Sequence, residues 1–316
     1  MHAARELPSR EAVGYGRTVD YDGTGVMSFG SGAQMSRAFA RAARVRAQAP
    51  AILTCAVSGG IVTGNPNQPV TLDDVVEEAL AAARAGASVV HVHARSPDGG
   101  ISGAPAHYEE IARRIREADV DVLLNLSSGG ELGGGAERPA CLSAAPDIAT
   151  LLCGSVNFGP GDGLLLAPRS FIDAQAAELA GAGVCAEYEC FDLGMVATAA
   201  ALAAGSAGAG GMIHLIMGSL GGAPADPGLI SRLASMTPEG VPWAITSIPA
   251  HFSMMAVAIA LGGHIRTGLE DVLQVAPGEQ AASNAQLVER ARSLCEAIGR
   301  PVASAAQARE ILGIGA

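Results

Sequence analysis

Two histidines one residue apart close a short apolar run, Val89-Val90-His91-Val92-His93-Ala94-Arg95. Along a strand, positions i and i+2 share a face, so His91 and His93 point one way and Val90 and Val92 the other. The bases of the two imidazoles then stand roughly 7 Å apart, close enough to converge on one ion. The plain alternative is a pair of core histidines tied to backbone carbonyls. Glu270 is the third ligand expected. Two histidines and one carboxylate leave coordination positions open, which suits a catalytic ion rather than a sealed structural one. Zinc is the first expectation, and manganese, iron or nickel could use the same ligands.

Glu270 read alone could equally cap the final helix, as could Asp271. Arg266 lies four residues before Glu270 and could pair with Asp271, functionally or as a structural ion pair. Ser127 to Gly130 could offer hydroxyl and backbone N–H donors to a carboxylate, or form an ordinary strand-to-helix turn. Glu187 and Glu189 share a strand face, and a buried carboxylate there needs the metal or a histidine as partner. His214 reads as a core or supporting residue, His251 as a helix residue and His264 as a turn residue.

These residues all lie near the ends of apolar runs. The runs are 51–57, 88–93, 120–126, 148–152, 184–191, 212–217, 243–248 and 263–267. Helical stretches fall between them at 71–85, 107–117, 170–180, 194–204, 227–236 and 251–261, and a last helix is expected from Gly278 to Ile298. The first helix opens Thr-Leu-Asp-Asp, a capping pattern. Strand–helix alternation implies a parallel sheet covered by helices. Eight units over about 250 residues predict an α/β fold, a closed (β/α)8 TIM barrel. The runner-up is an open doubly wound sheet, but no Gly-x-Gly-x-x-Gly follows the first strand, which ends Ser58-Gly59-Gly60-Ile61. In a barrel the active site forms at the carboxyl ends of the strands, where the polar residues collect.

Residues 1–50 differ and are read as an N-terminal extension preceding a single catalytic domain at 51–316. Tyr15 to Gly32 is Gly-rich, and Ser36 to Gln48 could form a short basic helix. Acids at Glu6, Glu11, Asp20 and Asp22 argue against a transit peptide. With 31 acids against 20 Lys and Arg, the chain is a poor match for nucleic acid. Mean hydropathy is +0.30, yet the apolar run from Met254 to Leu261 falls far short of the ~20 residues that span a bilayer. Six cysteines without Cys-x-x-Cys spacing read as reduced thiols of a cytoplasmic protein.

With these motifs assembled, the chain resembles the β-keto acid cleavage enzymes, whose type member cleaves 3-keto-5-aminohexanoate. The matching segments are Thr54 to Gly60, His91 to Arg95, Asn125 to Gly130, Gly154 to Phe158, Glu187 to Asp192 and Gly262 to Asp271. The resemblance implies a zinc-dependent barrel, a homo-oligomer (tetramer or dimer), with acetyl-CoA as co-substrate. A β-keto acid and acetyl-CoA would give acetoacetate and the CoA ester of the remaining acyl part. His91, His93 and Glu270 would hold zinc, and Arg266 and Asp271 would form the basic dyad. Ser127, Gly130 and Thr150 would line the carboxylate and keto group, with Glu189 counted in the substrate site and either Glu187 or Glu189 beside the metal. A metal chelated by keto and carboxylate oxygens would favour enolate formation at C2, with Asp271 taking the proton. The enolate would attack the acetyl thioester, the CoA would be transferred within the intermediate to the substrate's keto carbon, and a retro-Claisen step would release acetoacetate and leave the acyl-CoA.

Three departures from the type member stand out. Ile61 occupies a first-loop position where the type member has a glutamate for the substrate ammonium. A buried unpaired ammonium would cost several kcal/mol, so a substrate without a 5-amino group is expected. Ile248-Pro249-Ala250-His251 replaces a glycine and a later glutamine of the family, and the extension before residue 50 has no counterpart. Arg95, Arg138 and Arg169 are candidates for the CoA phosphates. Two rivals share the scaffold, a metal-dependent class II-type aldolase or lyase and a non-catalytic metal-dependent metabolite binder. The complete Arg266, Glu270 and Asp271 set argues against the second.

Overall fold

The computed structural model describes residues 20–21, 27–28, 49–60, 64–128, 140–158, 163–205, 210–248 and 251–315. The chain divides into two compact units, 1–49 and 50–316. In the first, Asp20–Tyr21 pairs antiparallel with Met27–Ser28, and the helix expected at Ser36 to Gln48 lies outside the described residues. So do Ile61, Gly129, Gly130, Arg138, Pro249 and Ala250.

The second unit is a closed (β/α)8 barrel. Its strands are β1 (Leu53–Ala56), β2 (Val89–Val92), β3 (Leu123–Leu126) and β4 (Ile148–Leu152), then β5 (Cys185–Cys190), β6 (Gly211–Met217), β7 (Trp243–Ser247) and β8 (His264–Thr267). Each pairs in parallel with its neighbours, and β8 closes on β1 through Ile265 opposite Leu53 and Arg266 opposite Thr54. The strands are rich in apolar residues because both faces are buried, one inside the barrel and one under the helices. β3 starts three residues later than its apolar run, and His264 is a strand residue, not a turn residue.

The outer helices are α1 (Leu72–Ala85), α2 (Pro105–Glu117), α3 (Arg169–Ala182), α4 (Leu193–Gly205), α5 (Pro227–Met236), α6 (His251–Ala260) and α7 (Asn284–Ala297). α1 shows how the sequence sets these boundaries. Thr71 Oγ1 accepts from Asp74 N–H and Asp74 Oδ2 accepts from Thr71 N–H, both at 3.2 Å, a capping box. Leu72, Val75, Val76, Ala79 and Ala82 form its buried stripe, and Gly86, at φ +112°, ends it in the left-handed region.

The last expected helix needs correction. Gln274–Ala276 and Glu279–Gln280 form a hairpin turned at Pro277 and Gly278, and α7 starts only at Asn284, with Ser283 Oγ accepting from Gln286 N–H. Gly278 sits at φ +79°, in the left-handed region, and Glu279 and Gln280 are committed to pairing with Ala276 and Gln274, so no helix begins there. A further helix, α8 (Ala305–Leu312), follows its own Ser304/Gln307 capping box.

Alternation along the strands builds the barrel interior in layers. At the amino-terminal end Ile52, Val89, Leu123, Ile148, Cys185, Met212 and Ala244 form one apolar cluster, closed from below by Ala303, Ala308 and Leu312. Two residues on, the same strands present Thr54, His91, Asn125, Thr150, Glu187, His214, Thr246 and Arg266, all at most 3% exposed. The interior is therefore apolar below and polar above. A buried polar layer is tolerable only if its members satisfy one another or a ligand.

Candidate active site

At the carboxyl end of the barrel, β2 and the loop after β8 bring His91, His93 and Glu270 together, with one ligand-capable atom of each within 4.8 Å of the others. His91 Nε2 lies 3.7 Å from Glu270 Oε2 and His93 Nε2 lies 3.5 Å from Glu270 Oε1. The two rings meet edge to face with centroids 5.2 Å apart. His91 Nε2 and Glu270 Oε2 are buried and accept or donate no hydrogen bond among the described residues. Orphaned polar atoms aimed at one point fit a metal ion, which would satisfy them. Burial holds the His91 imidazole down near a pKa of about 3, against the raising influence of Glu270. The ring is therefore neutral and free to ligate at ordinary pH.

The local fold explains why Glu270 can reach this point. Gly268 turns the chain at φ +139°, where a Cβ would collide with the Ala56 carbonyl oxygen, and Glu270 N–H donates to Ala56 O at 3.3 Å. Gly59 closes the approach from β1, since a Cβ there would sit 2.7 Å from Glu270 Cγ. Asn284 ties the loop down: its Oδ1 accepts from Leu269 N–H (2.9 Å) and its Nδ2 donates to Val57 O (3.2 Å). Glu270 thus belongs to the β8 loop and caps no helix.

Arg266, the interior residue of β8, organises the acids. Its Nε and Nη2 donate to the two oxygens of Asp271 at 2.9 and 3.0 Å, and Nη2 also donates to Glu270 Oε1 at 2.5 Å. Nη1 makes no hydrogen bond among the described residues and lies 4.0 Å from Glu189 Oε1. Burial alone would raise the Glu270 carboxyl, but Arg266 and the two imidazoles outweigh it and hold the group well below the usual carboxylate range. Burial raises Asp271, with Glu270 adding and Arg266 opposing. Glu189 is pushed up to about 8, by burial first and then by the neighbouring Glu187.

Glu187 and Glu189 are separated by their partners. Glu187 sits in the polar layer, accepting from Asn125 Nδ2 at 2.5 Å and standing 3.2 Å from His214 Nδ1. His214 Nε2 shares a 2.8 Å hydrogen bond with Thr246 Oγ1. Glu189 is one layer higher, at the level of Arg266 Nη1. Thr150 Oγ1 accepts from Ser128 N–H at 3.0 Å, and Gln175 Nε2 donates to Ser128 Oγ at 2.6 Å. Ser127 is buried at the end of β3, its carbonyl accepting from Tyr108 Oη at 3.1 Å. Gly130 is outside the described residues.

Two arginines named for CoA are committed elsewhere. Arg95 is buried and donates to Gly59 O at 2.7 Å and Gly99 O at 3.3 Å. Arg169 is exposed and pairs with Asp173 one turn on. Sequence reasoning left Asn125, Thr246 and Gln175 without a role. The signal for Asn125 was the ladder, since it lies beside His91 in register. His251 is also more than a helix residue, because its Nε2 shares a 3.0 Å hydrogen bond with Thr267 Oγ1 and its Nδ1 bonds Ser247 O.

The family model for beta-keto acid cleavage enzymes matches residues 50–314. Among curated proteins, 3-oxoadipate:acetyl-CoA acetyltransferase of Cupriavidus necator is 36% identical over 84% of this chain and 95% of its own. 3-Keto-5-aminohexanoate cleavage enzyme of Acetoanaerobium sticklandii is 36% identical over 83% and 98%. 3-Dehydrocarnitine:acetyl-CoA trimethylamine transferase of Rhizobium meliloti is 36% identical over 82% and 95%. Among solved structures, ObcA with oxaloacetate aligns at TM-score 0.64 and 22% identity over 79% of this chain and 68% of that one, a likeness of fold.

Proposed function

Since the chain belongs to the beta-keto acid cleavage enzyme family, we propose that it is an acetyl-CoA-dependent β-keto acid cleavage enzyme that works with a bound zinc ion. The observation that carries this is the convergence of His91, His93 and Glu270 beside the Arg266–Asp271 pair at the carboxyl mouth of the barrel. His91, His93 and Glu270 would hold a divalent metal, which would supply a Lewis acid to the substrate's carbonyl group. The remaining steps fall to the protein. Asp271, fixed by two hydrogen bonds from Arg266, removes the C2 proton, and its raised carboxyl makes it the stronger base. Arg266 Nη1 is left to donate to the oxyanion that develops. Ser127 and Thr150, with Gly130, are assigned the substrate carboxylate and keto group. Glu189 closes the polar wall opposite Arg266.

The relatives named above act on β-keto compounds with very different tails. The common chemistry therefore resides in the shared head group, and the tail is what distinguishes one member from another. The same reading makes the protein a cytoplasmic homo-oligomer; among the described residues no helix is long and apolar enough to cross a membrane. The test incubates zinc-loaded protein with acetyl-CoA and a panel of β-keto acids and reads CoA esters by mass spectrometry. A new acyl-CoA plus acetoacetate, abolished in Asp271→Asn and Glu270→Ala, is expected. A zinc-loaded, folded protein that makes no new CoA ester with the panel, or one whose Asp271→Asn variant still makes it, overturns the assignment.

A further inference from the structure

A cleft of about 480 Å³ opens beside the dyad, between α6, the loop after β8 and the start of the 274–280 hairpin. Asp271, His251, Phe252, Val272 and Val275 are among the residues that line it. Phe252, Val272 and Val275 pack in a satellite apolar cluster with Leu269, Ala281 and Leu287, so this lining is built rather than incidental. Leu273 and Ile248 also line the cleft and leave large apolar side chains exposed, 42% and 44%. Arg290, also lining the cleft, stacks its guanidinium on the Phe252 ring at 4.3 Å and forms no ion pair among the described residues.

We propose that this cleft binds the pantetheine arm of acetyl-CoA, a deepening that rests on the function proposed above. The barrel interior around Arg266 is polar and charged, which suits a β-keto carboxylate and repels a hydrocarbon chain. The cleft beside it has the opposite character and also reaches Asp271. Two substrates that must meet at one carbon are thereby given separate approaches. The size suits a flexible arm of this kind, since ligand pockets run from ~300 to 1,000 Å³. Methylenes and geminal methyls lie on Phe252, Val272 and Val275, and Arg290 donates to an amide carbonyl. The nucleotide end stays outside the cleft.

The test is calorimetric titration of the zinc-loaded full chain with acetyl-CoA, alongside KM values for both substrates in turnover. Arg290→Met and Leu273→Asp change exposed positions, so the fold is preserved. Each is expected to raise Kd and KM for acetyl-CoA about tenfold, the scale of one charged hydrogen bond. Zinc content and the KM of the β-keto acid stay unchanged, and free pantetheine competes with acetyl-CoA. Unchanged acetyl-CoA affinity in both variants, or competition by adenosine 3′,5′-bisphosphate and not by pantetheine, overturns the cleft assignment while leaving the reaction standing. A wild type that binds no acetyl-CoA overturns the reaction and the cleft together.

Discussion

Glu270 is held by opposing demands. It takes a hydrogen bond from Arg266 Nη2 through Oε1, and its Oε2 faces His91 with no hydrogen-bond partner. Removing the carboxylate leaves Arg266 with Asp271 but would deprive the proposed ion of the one carboxylate among its three proposed ligands. Glu270→Ala is therefore expected to keep the fold and lose bound zinc, read by elemental analysis after dialysis. Near-stoichiometric zinc in that variant would eliminate Glu270 as a ligand. Arg266→Lys tests the other side. A lysine is a point donor and cannot span both oxygens of Asp271. Its kcat is expected to fall about 10–100-fold, the range seen when groups orienting a site are lost, with zinc content retained. At this scale the sequence was most legible where chemistry is written into spacing, as in His91-x-His93 and the Arg266, Glu270, Asp271 series. Asn125, His214 and Thr246 were illegible as a set, because each is an ordinary polar residue until strand register stacks it into one layer.

Elements decide whether those residues meet. β8 is fixed at both ends, and each end makes a prediction. At its end Gly268 occupies φ +139°, and a Cβ would collide with the Ala56 backbone. Gly268→Ala is expected to destabilise by several kcal/mol, more than the usual 0.5–3 for a substitution, and to displace Glu270, seen as coupled loss of Tm and zinc. At its start His264 Nδ1 accepts from Ile52 N–H at 2.9 Å, and burial, helped by Arg300, depresses its pKa from 6.5 to about 3. Between those values the unfolded chain binds a proton that the folded protein refuses. Stability is thus full above pH 6.5 and is lost as pH falls toward 3, at roughly 1.4 kcal/mol per unit. His264→Gln keeps an acceptor without the titration, so its urea-unfolding free energy should decline less steeply from pH 6.5 to 4. An acid slope identical to wild type would show that His264 does not set it. Strand and helix alternation was legible because each barrel element carries its own buried pattern. The hairpin at 274–280 was not, because Glu279, Gln280, Ala281 and Ala282 are residue types that suit a helix and carry the composition of α7 back to Gly278.

For the molecule as a whole, the barrel separates what stabilises it from what it does. The carboxyl end carries the polar layer, Glu270 and Asp271. The amino-terminal end is closed by α8, whose Ala308 and Leu312 pack on Ile52, Val89, Leu123 and Ile148, while Arg309 bonds Asp147 at 2.7 Å. α8 is eight residues long and supplies no chemistry, which is why a search for functional spacing passes over it. Its energetic role follows from burial: Leu312 is 2% exposed at the base of the interior. Leu312→Ala should cost about 2–4 kcal/mol, the transfer of its methyl groups plus the void left among residues that cannot collapse inward. The two ends are joined through eight strands with closed hydrogen bonding, and a small cavity below does not shift the layer two residues above. Zinc content, acetyl-CoA affinity and kcat at 25 °C should therefore stay at wild-type values while the unfolding midpoint drops. A Leu312→Ala protein that loses zinc or turnover in step with stability would mean that the apolar base positions the polar layer, and that barrel stability and catalysis are one property in this chain.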